Sequence, residues 1–527
     1  MKTYKILCIS FIALVCASCH ENLLEPLPKD RLATELFWQT EQDAIYASNG
    51  VYSVMGHHWR YIAMDAYADI AHFILQYLGE SAVEKHTFDA ANSVMATEWR
   101  YYYNIVQASS SFLENIDRVE KIDEKLKARL IAEAKTLRAF AYINLAMLYG
   151  DVPLVTTSLT VAEAKSISRT PVSDIWNFIS EELTAAATDL PPIQSDRGRV
   201  TKGTALGLKA RAMLYVGRNQ EAKAAAKSVM DLGVHKLHDS YAELFDYAGE
   251  EASEIMFARQ YAKNLVTHHI FYDLAPNSIY YSTYIAPTKP LVDAYLMKTT
   301  GLPVDDPASG FDPRNPYKDR DPRLYHTVYI PGDLLPNGQT FNSLPGSGTG
   351  DDILSSAENV SKLGWYYKKW ISNEDYPVSN RCGVNLIYLR YAEVLLTYAE
   401  ACIELGEIDQ TVLDALNAIR NRSDVNMPNV TTLSQTELRK IVRRERMVEL
   451  AMEGLRLYDI RRWRIGEEVI PGTLKGMTYV NPNNPEELVT AELIGYVKEF
   501  KPDRHYLWPI PLAEQVLNSN LTQNPGY

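Results

Sequence analysis

The chain has 527 residues and is 46% hydrophobic, enough for a large core in roughly two to four domains. Its net charge of −13 argues against a nucleic-acid or anionic-membrane surface, which would need a broad basic face. Five cysteines, two of them inside the first sixteen residues, exclude a disulfide framework.

The amino terminus reads as a targeting segment. Lys2 and Lys5 precede an almost wholly apolar run from Ile6 to Val15. At roughly ten to thirteen residues this run is too short to span a bilayer. Ala17-Ser18-Cys19 follows, small residues before a cysteine, as in a bacterial lipoprotein signal. Residues 1–18 are then the signal peptide, and Cys19 is the lipidated first residue of the mature chain. Cys16 stands where leucine is usual in such signals, and a plain secretory signal cut near Ser18 is the alternative. Cys382 and Cys402 stay in the body of the chain. Cys402 lies close to an apolar helix face and reads as a small core residue, and a bridge between the two is left open.

After a tether over 19–31, helical spacing runs from near Ala33 to Met55. A polar, aromatic loop follows at Gly56 to Tyr61. Further helices are expected at 98–118, 132–154 (stopped by Gly150 and Pro153), 173–189, 202–217 and 219–232. Between about 240 and 380 the periodicity disappears and proline, glycine, asparagine and aspartate become frequent. Leu324 to Ile330 reads there as a short strand before the turn signal Pro331-Gly332. Helices return at 388–406, 410–422 and 434–465, and the tail from Leu507 is extended. The division is thus 32–240 as the first part of a helical scaffold, 241–383 as a loop-rich ligand-binding region, and 384–527 as helical repeats and tail, together one compact unit.

The helix at 388–406 has a partial echo elsewhere. ARAMLYVG (210–217) and AEACIELG (399–406) both place alanine at positions one and three and glycine at position eight. INLAMLYG (143–150) keeps the apolar register and the glycine. The fold class is therefore mostly α, with tetratricopeptide-like helical hairpins and large irregular insertions.

Several motifs, taken in order, resemble the SusD/RagB family of Bacteroidetes outer-membrane nutrient-binding lipoproteins. They are Leu137-Arg138-Ala139 leading to Tyr149-Gly150-Asp151-Val152-Pro153-Leu154, Arg320-Asp321-Pro322-Arg323, and Arg390-Tyr391-Ala392-Glu393 with Tyr398-Ala399-Glu400-Ala401. Glu445-Arg446 through Glu453-Gly454-Leu455-Arg456 and Asp459-Ile460-Arg461-Arg462-Trp463 continue the pattern. Leu507-Trp508-Pro509-Ile510-Pro511 and Gln523-Asn524-Pro525-Gly526-Tyr527 close it. The resemblance implies four tetratricopeptide-like pairs and a place on the outer membrane, lipid-anchored and facing the cell exterior. It implies a non-enzymatic protein that captures oligosaccharide for a SusC-like TonB-dependent transporter. Some relatives serve peptide uptake, so peptide is the alternative ligand.

The charged motif residues read as scaffold. Arg390–Glu393, Arg446–Glu449 and Glu453–Arg456 fall at helical spacing, suited to pairs within and between helices. Asp321 and Arg323 read as anchors of a long loop. Sugar rings present flat C–H faces that stack on aromatic side chains, while their hydroxyls need a few polar partners. Loop aromatics are therefore the ligand-binding candidates: Trp59, Arg60 and Tyr61 beside His57 and His58; Tyr280, Tyr281 and Tyr284; and Trp365 and Tyr366, with Tyr367 and Trp370 flanking Lys368 and Lys369. Trp99 and Tyr103 read as core. No cofactor or metal is expected. His57-His58 has no third ligand at a recognisable spacing, and Asp305-Asp306 and Asp351-Asp352 do not open a calcium-binding loop pattern. No phosphate-binding glycine loop or serine nucleophile elbow is present.

Overall fold

Apolar residues at three- and four-residue spacing fold as helices wherever a cap can close their ends. In the computed structural model, residues 37–527 are described apart from 57, 76, 77, 280–282, 348, 349 and 355–358. The leader, Cys19 and the tether lie outside the described residues. Helix α1 (Glu41–Ser53) starts at a capping box, in which Thr40 Oγ1 accepts from Asp43 N and Asp43 Oδ2 accepts from Thr40 N. Then come α2 (His58–Ala66), strand β1 (Ala71–Phe73), α3 (Leu78–Lys85) and α4 (Ser93–Asn115). The long α5 (Glu124–Tyr149) ends at Gly150, whose φ of +73° favours glycine.

Helices α6 (Val172–Asp189), α7 (Lys202–Tyr215) and α8 (Asn219–Asp231) complete the first half. The middle of the chain holds β2 (Ile255–Arg259), β3 (Ile285–Pro287), β4 (Val328–Tyr329) and β5 (Tyr366–Tyr367). Next come β6 (Leu386–Arg390), α9 (Tyr391–Leu405), α10 (Gln410–Arg420), α11 (Gln435–Glu449) and α12 (Arg456–Trp463). Strands β7 (Gly472–Asn481) and β8 (Asn484–Lys498) form a hairpin near the end. Helix α5 packs on α4 and α6, α7 on α6 and α8, and α9 on α8, α10 and α11. The fold is mostly helical, and its sheets are antiparallel pairs: β1–β3, β2–β6, β4–β5 and β7–β8.

Four local expectations change. The loop at Gly56 to Tyr61 becomes helix α2 from His58 onward, a segment enclosed on nearly all sides, with His58 and Tyr61 through Ala66 all buried. Tyr388 to Arg390 leave the expected helix for β6, whose Leu386-Ile387-Tyr388-Leu389 run pairs with β2. Leu324 to Thr327 are helical rather than extended, since Pro322 suits a first helical turn and Asp321 accepts from Arg323 N. The stretch 434–465 breaks into α11 and α12 around Met452 and Gly454, with φ of +60° and +72°. The β7–β8 hairpin had no counterpart in the sequence reading.

Ion pairs tie these parts together, between elements rather than along one helix. Arg390 reaches Glu254 (2.9 Å), Glu449 (2.8 Å) and Glu453 (2.7 Å). Arg323 holds Asp321 (2.7 Å), Glu445 (3.0 Å) and Glu449 (2.9 Å). Arg422 joins Glu254 and Glu449, Arg420 joins Glu445, and Lys369 joins Glu453. Five cations thus meet five carboxylates in one buried cluster. Glu393 turns instead to Arg211 on α7, Arg446 to Asp459, and Arg456 to Asp69. Cys382 and Cys402 are both free and buried.

Candidate functional site

The short β1–β3 ladder sets one aromatic residue beside another. Phe73 is paired with Ile285, and Ile74 N donates to the Tyr284 carbonyl at 2.8 Å. Tyr284 therefore stands next to Phe73. Across from them α2 presents Trp59, whose ring centre lies 5.7 Å from Phe73 and 5.5 Å from Tyr284, edge to face in the second case. Tyr272 extends the group, 5.8 Å from Tyr284. Trp59, Tyr272 and Tyr284 are each half-buried. Tyr280 and Tyr281 lie outside the described residues, just before Tyr284 in the chain.

A cleft of about 340 Å³ opens beside Trp59, between α2, the first turns of α4 and Glu80 of α3. This is at the small end of ligand sites. Arg60 lines it and donates from Nε to Glu98 Oε1 at 2.5 Å, with its guanidinium 4.0 Å from the Tyr101 ring centre. Burial pushes the Glu98 carboxyl up to about 7, against the pull of Arg60, and its second oxygen, Oε2, has no hydrogen-bond partner. Thr97 lines the same cleft, and the Tyr67 ring forms part of its wall. At the start of α2, His58 Nε2 lies 2.8 Å from Asp273 Oδ2, which docks that helix end on the segment leading to Tyr284. An aromatic side chain next to a carboxylate and a guanidinium can hold a polyhydroxylated ring by its face and its edge.

The remaining candidates are part of the core. Tyr61 is buried against Trp370 and Tyr388, and its hydroxyl donates to the Ile387 carbonyl. Trp365 is buried, with Nε1 donating to the Tyr317 hydroxyl at 2.9 Å. Tyr366 is fully buried and its hydroxyl accepts from Ser361 N at 3.1 Å. Tyr367 donates to the Ile70 carbonyl and Trp370 to the Met452 carbonyl, so the third cluster offers no open ring face. Their hydrophobic surroundings come from distant segments, which local sequence does not report. Trp99 is buried, and Tyr103 is half-buried with its hydroxyl donating to Pro153 O at 2.8 Å. Glu98, Glu80 and Tyr272 went unnoticed in the sequence because each sits in a helix and carries no motif. Among the described residues no group of three His, Cys, Asp or Glu is placed to hold a metal ion, and no helix is long and apolar enough to cross a membrane.

Comparison with known families decides the lineage. The model described as the SusD family matches residues 253–527, more than half of the chain. The chain belongs to the SusD family. A second model, described as starch-binding and associating with the outer membrane, matches residues 30–214. Among SusD relatives, SusD-like protein P2 of Formosa agariphila is 27% identical over the whole of both chains. A solved SusD-like carbohydrate-binding protein from Bacteroides fragilis is 30% identical, with a TM-score of 0.84 over 92% of this chain and 100% of that one. A laminarin-binding SusD-like protein shares the fold at 22% identity, with a TM-score of 0.71 over 93% of this chain and 100% of that one.

Proposed function

We propose that this SusD-family protein is a cell-surface lipoprotein, anchored through Cys19, that captures oligosaccharide without covalent chemistry and delivers it to a SusC-like TonB-dependent transporter. The observation that carries the reading is the meeting of Trp59 and Tyr284 beside the cleft bounded by Arg60 and Glu98. The glycan face would rest on the rings, and its hydroxyls would exchange hydrogen bonds with the charged edge. Tyr280 and Tyr281, a few positions before Tyr284 in the chain, are further candidate ligand contacts in this reading. In this reading the helical parts 32–240 and 384–527 form the frame, and the region 241–383 supplies the variable wall of the site. The carbohydrate-binding relative from Bacteroides fragilis supports the ligand class.

Retention of the mature chain on immobilised polysaccharides, compared with a peptide array, tests the ligand class. Retention on one or more glycans is expected, and peptide binding with no glycan retention would overturn the reading. Co-purification of a TonB-dependent transporter from outer membranes tests delivery. Labelling at Cys19 by a radioactive fatty acid, lost in Cys19→Ala, tests the anchor.

A further inference from the structure

A second cleft, of about 500 Å³, lies between the end of α1, the loop carrying Asp196 to Arg199, and the edge of β2. It shares no lining residue with the cleft beside Trp59. Its floor and walls are Tyr52, Met55, Phe257 and Tyr388, and Val266 stands at the rim. Leu265 next to it is 85% exposed and Val266 47%, on a tight turn closed by the Ala262–Val266 bridge. The volume suits one or two sugar units, and apolar walls with a few polar groups are the usual make-up of a small-ligand site.

The charges in this cleft are unequally matched. Arg199 is held by Glu133 at 2.7 Å and by Asp196 at 3.3 Å, and Arg197 by Glu251 at 3.1 Å. Among the described residues, no carboxylate pairs with Arg259. Its contacts are neutral: Nη1 donates to the Tyr52 carbonyl at 3.0 Å, the Tyr261 ring centre is 5.8 Å away, and Nε is buried with no hydrogen-bond partner. Leaving a half-buried guanidinium with neutral partners costs free energy that an anion entering the cleft would recover. Arg259 is also fixed in place. It ends β2 in register with Leu386, and Gly56 (φ +68°) lets the Tyr388 hydroxyl and the Arg259 side chain pack directly against its backbone. A carboxylate is the charge complement of the guanidinium, and Tyr52 and Tyr388 line the same cleft.

We propose that this cleft is a second saccharide site, selective for a sugar carrying a carboxylate, with Arg259 as the residue that reads the charge. The saccharide class rests on the glycan-capture reading above; the anion preference does not. The test is calorimetric titration of the full chain in detergent with trigalacturonate and with its methyl ester, which keeps the rings and removes the charge. Trigalacturonate should bind at least about tenfold more tightly than the ester, the usual worth of one charge-assisted contact. Arg259→Gln should abolish that preference, and Arg259→Lys should keep part of it.

If Arg259→Gln does not fold, Gln260→Glu supplies the same test, because it places a competing carboxylate at the cleft while Arg259 stays; the preference for the acid should again fall. Equal binding of acid and ester, or wild-type affinity in the Arg259→Gln protein, would overturn the proposal. Binding of an aspartate-containing tripeptide but not of trigalacturonate, with the same dependence on Arg259, would overturn the saccharide class. Inorganic sulfate competing as well as trigalacturonate would do so too. If neutral glycans are held through Trp59 while trigalacturonate is not, only this inference fails. If no glycan of either kind is held, the reading of the protein as a glycan-capture protein fails with it.

Discussion

Trp59 and Tyr366 look alike in the sequence, each aromatic, next to other aromatic residues and close to a basic one. Folding separates them: Trp59 keeps part of its surface at a cleft, while Tyr366 is wholly enclosed. Trp59→Ala should therefore lower glycan affinity by about tenfold, the worth of a lost ring contact, with a smaller loss of stability than a truncation of the enclosed Tyr366. Tyr366→Ala should instead cost about 3–5 kcal/mol in urea unfolding, as for other large aromatic truncations in a core. Glu98 adds a pH signature. Its carboxyl is pushed up to about 7, so it charges, and becomes a better hydroxyl acceptor, as pH rises through about 7. Glycan affinity should rise across that interval in the wild type and stay flat in Glu98→Gln, measured by calorimetry at matched ionic strength.

At the scale of elements, the β7–β8 hairpin is held by one carboxylate outside it. Glu84 of α3 accepts from Tyr496 at 2.7 Å and lies 3.1 Å from Lys498 Nζ, and His72 of β1 contacts it at 2.8 Å. His72 and Lys498 hold the Glu84 carboxyl down to about 2 against the effect of burial, from an ordinary value of 4.5. Because the folded value is depressed, the stabilisation is complete above about 4.5 and is lost as pH falls through about 2. Hydrogen exchange in 472–498 should accelerate across that window relative to α5, and Glu84→Gln should reproduce the loosening at neutral pH. Helix α2 depends on a different device. Gly454 has φ +72°, and an added Cβ would lie 2.7 Å from the Tyr61 carbonyl of α2. Gly454→Ala should destabilise the protein by at least about 1 kcal/mol in chemical denaturation, from backbone strain before any displacement of α2 is counted.

Across the whole molecule, the insertion region and the helical stack share buried charge. Glu449 of α11 accepts from Arg323 of the loop region, Arg390 of β6 and Arg422 beyond α10. These arginines hold its carboxyl well below the usual range despite full burial. Removing it leaves three buried arginines each one carboxylate short, so Glu449→Ala should cost about 3–5 kcal/mol in equilibrium unfolding. Replacing a surface pair such as Lys440–Glu437 should change stability by less than about 1 kcal/mol. The helices were legible in the sequence because their signal is local: apolar residues three and four apart, a cap at one end and a glycine such as Gly150 or Gly406 at the other. The motifs that mark the SusD family were legible for the same reason, being short and ordered along the chain. The partners of the motif charges were not, since Arg390 meets Glu254 across 136 positions and Arg456 meets Asp69 across 387. The same holds for the candidate site. Sequence named Trp59, Arg60 and Tyr284, but only the folded chain sets Trp59 against Tyr284, encloses Trp365 and Tyr366, and gives Arg259 neutral partners among the described residues. Helical spacing is a property of neighbours in the chain, whereas exposure and charge balance are properties of neighbours in space.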